Sequence, residues 1–88
     1  MRAARSVVLP FGRYVRARRN AMGLSQRALA QRLAMDDAKL SRWETGRETL
    51  PPAKDFARIV KALGVAPEEI LRATGYLPSS EGGERGAA

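Results

Sequence analysis

The chain is 88 residues long, room for one small domain with a core of marginal size. It contains no cysteine and no histidine. That excludes disulfides, thiolate metal sites and cysteine nucleophiles, and removes the side chain that most often serves as general acid, general base or metal ligand. Sixteen Lys and Arg against nine Asp and Glu leave a net charge of +7, a balance that suits a polyanionic partner: nucleic acid first, an anionic membrane second.

Residues 1–9 (MRAARSVVL) begin in the manner of a signal peptide, basic and then apolar. The apolar part, Val7-Val8-Leu9, is far shorter than the ~7–15 residues such a segment needs, and no run approaches the ~20 apolar residues of a membrane span. The expectation is a soluble, cytoplasmic protein with no membrane role. The segment reads as an N-terminal basic arm carrying Arg2 and Arg5, either a free terminus or a reach toward a phosphate or minor groove.

Residues 10–22 (PFGRYVRARRNAM) predict a first helix. Pro10 suits a first-turn position, Phe11, Val15 and Met22 fall near one face, and Gly23 stands where a left-handed residue ends helices. Arg13, Arg16, Arg18 and Arg19 make this the densest positive run in the chain. Ser25 is a good N-cap for a second helix, Gln26 to Leu33, with Leu29 and Leu33 on one face and small Ala30 permitting a close crossing. Asp36 is read as the cap of a third helix, 37–45, stopped by Gly46. Three residues between Leu33 and Asp37 force these helices into a tight, angled pair.

In the third helix, Leu40 and Trp43 supply an apolar side. Ala38, Ser41, Arg42 and Thr45 lie at i, i+3, i+4 and i+7, so they form a polar stripe on the opposite side, flanked by Asp37 and Lys39. Such a stripe on a basic domain is suited to face DNA.

Pro51-Pro52 closes a loop, and Pro52 is placed in the first turn of a fourth helix running to Leu63. Phe56, Ile59, Val60 and Leu63 at i, i+3, i+4 and i+7 give it the cleanest amphipathic pattern in the chain. After Gly64 and an inward Val65, Pro67-Glu68-Glu69 opens a fifth helix with carboxylates at its positive end, ended by Gly75. Residues 78–88 (PSSEGGERGAA) lack large apolar residues and read as a disordered tail. No strand pattern and no repeat occur. The expected architecture is all-α, five short helices around Phe11, Val15, Leu24, Leu29, Leu33, Leu40, Trp43, Phe56, Ile59, Val60, Leu63 and Ile70.

The stretch LSQRALAQRLAMDDAKLSRWETGRETLPPAKDFARIVKALGVAPEEIL resembles the helix-turn-helix domain of the phage repressor and Cro-like family. The resemblance covers residues 10–77. Its most specific parts are Leu24-Ser25-Gln26, the segment Ser41-Arg42-Trp43-Glu44 followed by Gly46, and Ala62-Leu63-Gly64-Val65. It implies a lambda-repressor-like five-helix bundle whose motif, 25–46, places the third helix in the major groove. By position, Asp37, Ala38, Lys39 and Arg42 would meet bases, with Ser41 beside them. Gln26 and Arg27 at the start of the second helix, and Thr45 and Arg47 at the end of the third, would meet phosphates. Arg19 and Glu44 match an ion pair common in relatives. Two departures stand out. Ala34 takes the turn position where relatives usually carry glycine, which costs about 1–2 kcal/mol if its φ is positive. Asp36-Asp37 puts two carboxylates at the tip that approaches a polyanion; Asp37 could accept from a cytosine N4 or penalise wrong sites.

The resemblance implies a sequence-specific DNA-binding transcriptional regulator, repressor-like, binding double-stranded DNA as a homodimer on a palindromic operator, with no cofactor or metal. The alternative is an antitoxin or protein-interaction adaptor on the same fold, with Leu71, Tyr76 and Leu77 covering a protein partner. No enzymatic constellation is discernible without His, Cys or paired carboxylates.

Overall fold

The computed structural model describes residues 8–78; the expectations for residues 1–7 of the arm and 79–88 of the tail lie outside the described residues. Five α-helices follow one another: α1 (Phe11–Ala21), α2 (Gln26–Leu33), α3 (Asp37–Gly46), α4 (Ala53–Leu63) and α5 (Pro67–Ala73). Among the described residues there is no strand. Proline starts two of these helices from outside. Pro10 and Pro52 are N-cap residues with extended ψ of 149° and 157°, so α1 and α4 each begin one residue later than the sequence pattern suggests. Gly46, expected to follow the third helix, forms its last residue.

Each helix buries one stripe. Phe11 and Val15 of α1, Leu29, Ala30 and Leu33 of α2, Leu40 and Trp43 of α3, Ile59 and Leu63 of α4, Val65 and Ile70 form one cluster. Complete burial of a side chain of this size stabilises by roughly 1.5–3 kcal/mol, which is what holds helices of 7–11 residues that would not persist alone. Two differences from the expected core have a physical reason. Tyr14 is buried, because it sits one turn from Phe11 and lays its ring inside while its hydroxyl donates outward to Glu69 at 3.4 Å. Leu24, Phe56 and Val60 are only half-buried and pack against the core from its border, Leu24 from the loop between α1 and α2 and the other two from α4.

α1 packs on α3, and α2 packs on both α3 and α4. α1 approaches α3 closely because it carries Gly12. A Cβ there would lie 2.0 Å from the Trp43 carbonyl oxygen. The approach also satisfies the free end of α1. The Gly12 N–H donates to the Arg47 carbonyl at 2.8 Å and the Phe11 N–H to the Glu48 carbonyl at 3.2 Å, so the loop leaving α3 is the cap of α1. Two residues before α1, the Leu9 N–H donates to the Ala73 carbonyl at 3.0 Å and ties the entering chain to the end of α5.

Candidate nucleic-acid interface

The geometry of the α2–α3 pair begins with its turn. Ser25 accepts the Ala28 N–H at 3.0 Å and starts α2. At the other end Ala34 is left-handed, φ 56° and ψ 46°. The Met35 N–H then reaches back to the Ala30 carbonyl at 3.0 Å and the Ala34 N–H to the Gln31 carbonyl at 3.2 Å. This is a Schellman closure, which needs a left-handed residue at the position alanine holds and normally takes glycine there. The strain on a non-glycine residue is about 1–2 kcal/mol. Half-buried Met35 packs against the core and secures the turn.

Asp36 occupies the N-cap position of α3, but its side chain accepts no backbone N–H, contrary to the capping role expected of it. Its carbonyl receives the Leu40 N–H at 3.1 Å, while the carboxylate is exposed. Asp37, in the first turn, supplies the negative charge at the positive end of the helix instead. Asp37 is also not a bare charge. Arg27 Nε of α2 donates to its Oδ2 at 3.2 Å across the turn, both groups remaining substantially exposed.

α3 divides sharply. Leu40, Trp43 and Glu44 are buried; Ala38, Lys39, Arg42 and Thr45 are exposed and Ser41 is half-buried. Glu44 is the one carboxylate among the buried groups described, and its oxygens have three donors. Arg19 Nε donates to Oε2 at 2.7 Å, Arg19 Nη2 to Oε1 at 3.0 Å, and Gln26 Nε2 to Oε1 at 3.2 Å. Arg19 Nη1 also donates to the Leu24 carbonyl at 2.9 Å. The hydrogen bond to Glu44 holds the Arg19 guanidinium above its ordinary pKa, burial partly opposing and the Glu44 charge adding to it. One arginine therefore joins α1, the α1–α2 loop and α3, and fixes how far α3 stands out. Gln26 donates to the same carboxylate, so its amide nitrogen is already engaged.

The far end of α3 is organised by Trp43. Its ring meets Phe11 edge-on, centroids 6.0 Å apart. Two cations lie near the ring: Lys39 Nζ at 5.9 Å and the Arg47 guanidinium carbon at 5.6 Å. At this range each contact is worth about 0.5–1 kcal/mol. Arg47 also donates through Nε to the Thr49 carbonyl at 3.2 Å and through Nη2, at 3.4 Å, to that of Leu50. Thr45 Oγ1 donates to the Ser41 carbonyl at 2.9 Å, leaving its hydroxyl oxygen free to accept. Arg42 and Arg47 border one open cleft of about 470 Å3 with Trp43, Gly46, Glu48 and Thr49.

Asp37, Ala38, Lys39, Ser41 and Arg42 thus share the outer side of one helix, with Thr45 and Arg47 at its end and Arg27 at its start. Three arrangements were not readable from the sequence: the Arg27–Asp37 pair, the engagement of Gln26 by Glu44, and the cations on Trp43. A signal existed only for Gly12, a glycine inside a helical pattern, which marks a close approach.

An angled pair of helices joined by a tight turn, the second presenting a polar outer face, is a helix-turn-helix within an all-α bundle. A family model described as "Helix-turn-helix domain" matches residues 10–73, and the chain belongs to that family. No curated protein sequence matches it. Among solved structures, the chain is similar to the P22 c2 repressor in complex with synthetic operator 9T, at 30% identity over 73% of this chain and 96% of that one, TM-score 0.62. The solution structure of the DNA-binding domain of the same repressor has 29% identity over 77% of this chain and 87% of that one, TM-score 0.66. The restriction-modification controller protein C.AhdI from Aeromonas hydrophila has 30% identity over 68% and 89%, TM-score 0.60. The fold is the repressor-type helix-turn-helix bundle, and the class is that of DNA-binding regulators of transcription. Among the described residues no helix is long and apolar enough to cross a membrane.

Proposed function

We propose that the chain is a sequence-specific, repressor-like regulator that binds a palindromic operator as a homodimer with α3 in the major groove. The observation that carries this reading is the division of α3: Leu40, Trp43 and Glu44 are sealed inside while Ala38, Arg42 and Thr45 stand exposed in one stripe with exposed Lys39 beside it. An α-helix fits a groove about 12 Å wide, and an arginine can meet guanine O6 and N7 together, worth roughly 1–3 kcal/mol of discrimination. Arg42 is the principal reader. Asp37, Ala38, Lys39 and Ser41 complete the base-facing set, and Gln26, Arg27, Thr45 and Arg47 meet the backbone. The likeness to a repressor bound to a synthetic operator supports the operator reading.

Selection of bound sequences from random duplex DNA tests it. The expected product is a palindrome with half-sites about 34–36 Å apart, one helical turn. Arg42→Ala should weaken the selected site roughly 5- to 150-fold while leaving non-specific affinity nearly unchanged. Equal loss on both at fixed salt means that Arg42 does not read bases.

A further inference from the structure

Two clefts on the surface share one side chain. A small one, about 60 Å3, lies between the start of α1 and the end of α3, walled by Pro10, Arg13, Thr45, Arg47 and two carboxylates, Glu44, which is paired with Arg19, and exposed Glu48. A larger one, about 390 Å3, runs along the outer face of α1 and is lined by Leu9, Arg13, Arg16, Ala17 and Asn20. Arg13 belongs to both, so it joins the end of α3, where Arg47 stands beside exposed Glu48, to the basic face of α1. Arg13, Arg16 and Asn20 are exposed and follow one another at i, i+3 and i+7 on one helix face. Among the described residues the ion pairs are Arg19–Glu44 and Arg27–Asp37, so neither Arg13 nor Arg16 is paired with a described carboxylate. Arg19, in the same arginine run, is consumed by structure; these two are not.

We propose that this face of α1 is a second nucleic-acid contact, with Arg13 and Arg16 each meeting a backbone phosphate that flanks the segment read by α3. The proposal rests on the DNA-binding reading above. Residues three apart on a helix rise about 4.5 Å along its axis, the same order as the ~3.4 Å of duplex axis per phosphate of one strand, and the long arginine side chains span the wider path of the backbone itself. Guanidinium groups suit phosphate oxygens because their donors come in a planar fork. Asn20 adds an amide donor at the far end of the same track. An acidic protein segment could satisfy the same charges, but the track joins the end of α3, where Thr45 and Arg47 stand, and that continuity favours the nucleic acid.

The salt dependence of binding tests it, using the full chain and a random-sequence DNA duplex. Arg13→Ala and Arg16→Ala should each lower the slope of log affinity against log salt by about 0.9, and the double variant by about 1.8. Between 50 and 200 mM salt the double variant should then lose roughly 12-fold less affinity than the wild type. Arg13→Lys and Arg16→Lys keep the charge and should keep the slope. Arg72→Ala, the loss of one exposed charge on α5, should leave it unchanged. Base preference should be the same in all, and thermal melts check that each variant is folded. A double variant with the wild-type slope overturns the proposal, as does an equal fall for Arg72→Ala, which would assign the effect to net charge alone. A wild-type chain that binds no duplex DNA removes the parent reading and this one with it, a result distinct from an unchanged slope.

Discussion

Gly12→Ala tests the joint that seats α3. An added Cβ would stand 2.0 Å from the Trp43 carbonyl oxygen and 3.0 Å from that of Arg47, where ordinary contact begins at 3.4 Å. Both near atoms are backbone, so no side chain can swing away. α1 and α3 must part by about 1.4 Å along that direction. Overpacking of this kind costs typically about 1–3 kcal/mol, and stretching the 2.8 Å bond from the Gly12 N–H to the Arg47 carbonyl adds about 0.5–1.5. Alanine's better helix propensity returns up to about 1 kcal/mol. The net loss expected is about 2 kcal/mol, a sizeable part of the ~5–15 kcal/mol that holds a domain together. For a domain of this length that lowers the melting temperature by roughly 8–16 °C, readable by circular dichroism. Because the same carbonyls anchor the loop of Arg47, affinity for DNA should fall beyond what the unfolded fraction explains. A melting temperature within about 2 °C of wild type would refute the tight contact and the capping role assigned to it.

Three other outcomes follow from the geometry. Ala34→Gly relieves about 1–2 kcal/mol of left-handed strain and adds about 0.5–1 of glycine entropy, so it should stabilise by up to about 1.5 kcal/mol in urea denaturation; destabilisation would contradict the turn as described. Glu44→Ala strands the Arg19 guanidinium, only 12% exposed, and should cost about 3 kcal/mol, whereas replacing both partners with methionine should recover part of that loss in a double-mutant cycle. Burial first, and then the charge of Glu69, raise the Tyr14 phenol above its ordinary value of 10.0. The folded state therefore keeps this proton after the unfolded chain has released it, so the contribution is whole below pH about 10 and is lost as pH rises through the folded value. Stability measured above pH 10 should fall more steeply for wild type than for Tyr14→Phe, and parallel curves would rule the contribution out.

Much of the fold was legible because its signals are local. The Leu29–Leu33 spacing, the Phe56–Leu63 stripe, Ser25 as a cap and the left-handed glycines at 23 and 64 each act within a turn or two of chain. Where reading failed, the competing effect was also physical. Tyr14 was missed because its polar hydroxyl masks a ring that burial favours, and Asp36 caps in position only, since Asp37 and Arg27 rearrange the charge at that end. Arg19 and Glu44 came into view through family resemblance, as two residues 25 apart share no local pattern.

What the sequence determined by itself is therefore the helices, their order, the inward and outward sides of α3 and the positive charge that surrounds it, because periodicity, caps and charge count belong to the chain before it folds. Tertiary structure alone decided which outward groups are bound to a neighbour: Asp37 to Arg27, Gln26 to Glu44, Lys39 and Arg47 to the Trp43 ring. It also decided that Gly12 lets α1 grip the loop beyond α3, and that Arg13 joins two clefts. The physical reason is that such pairings depend on the distance and angle between helices, which the whole core sets and no single stretch encodes.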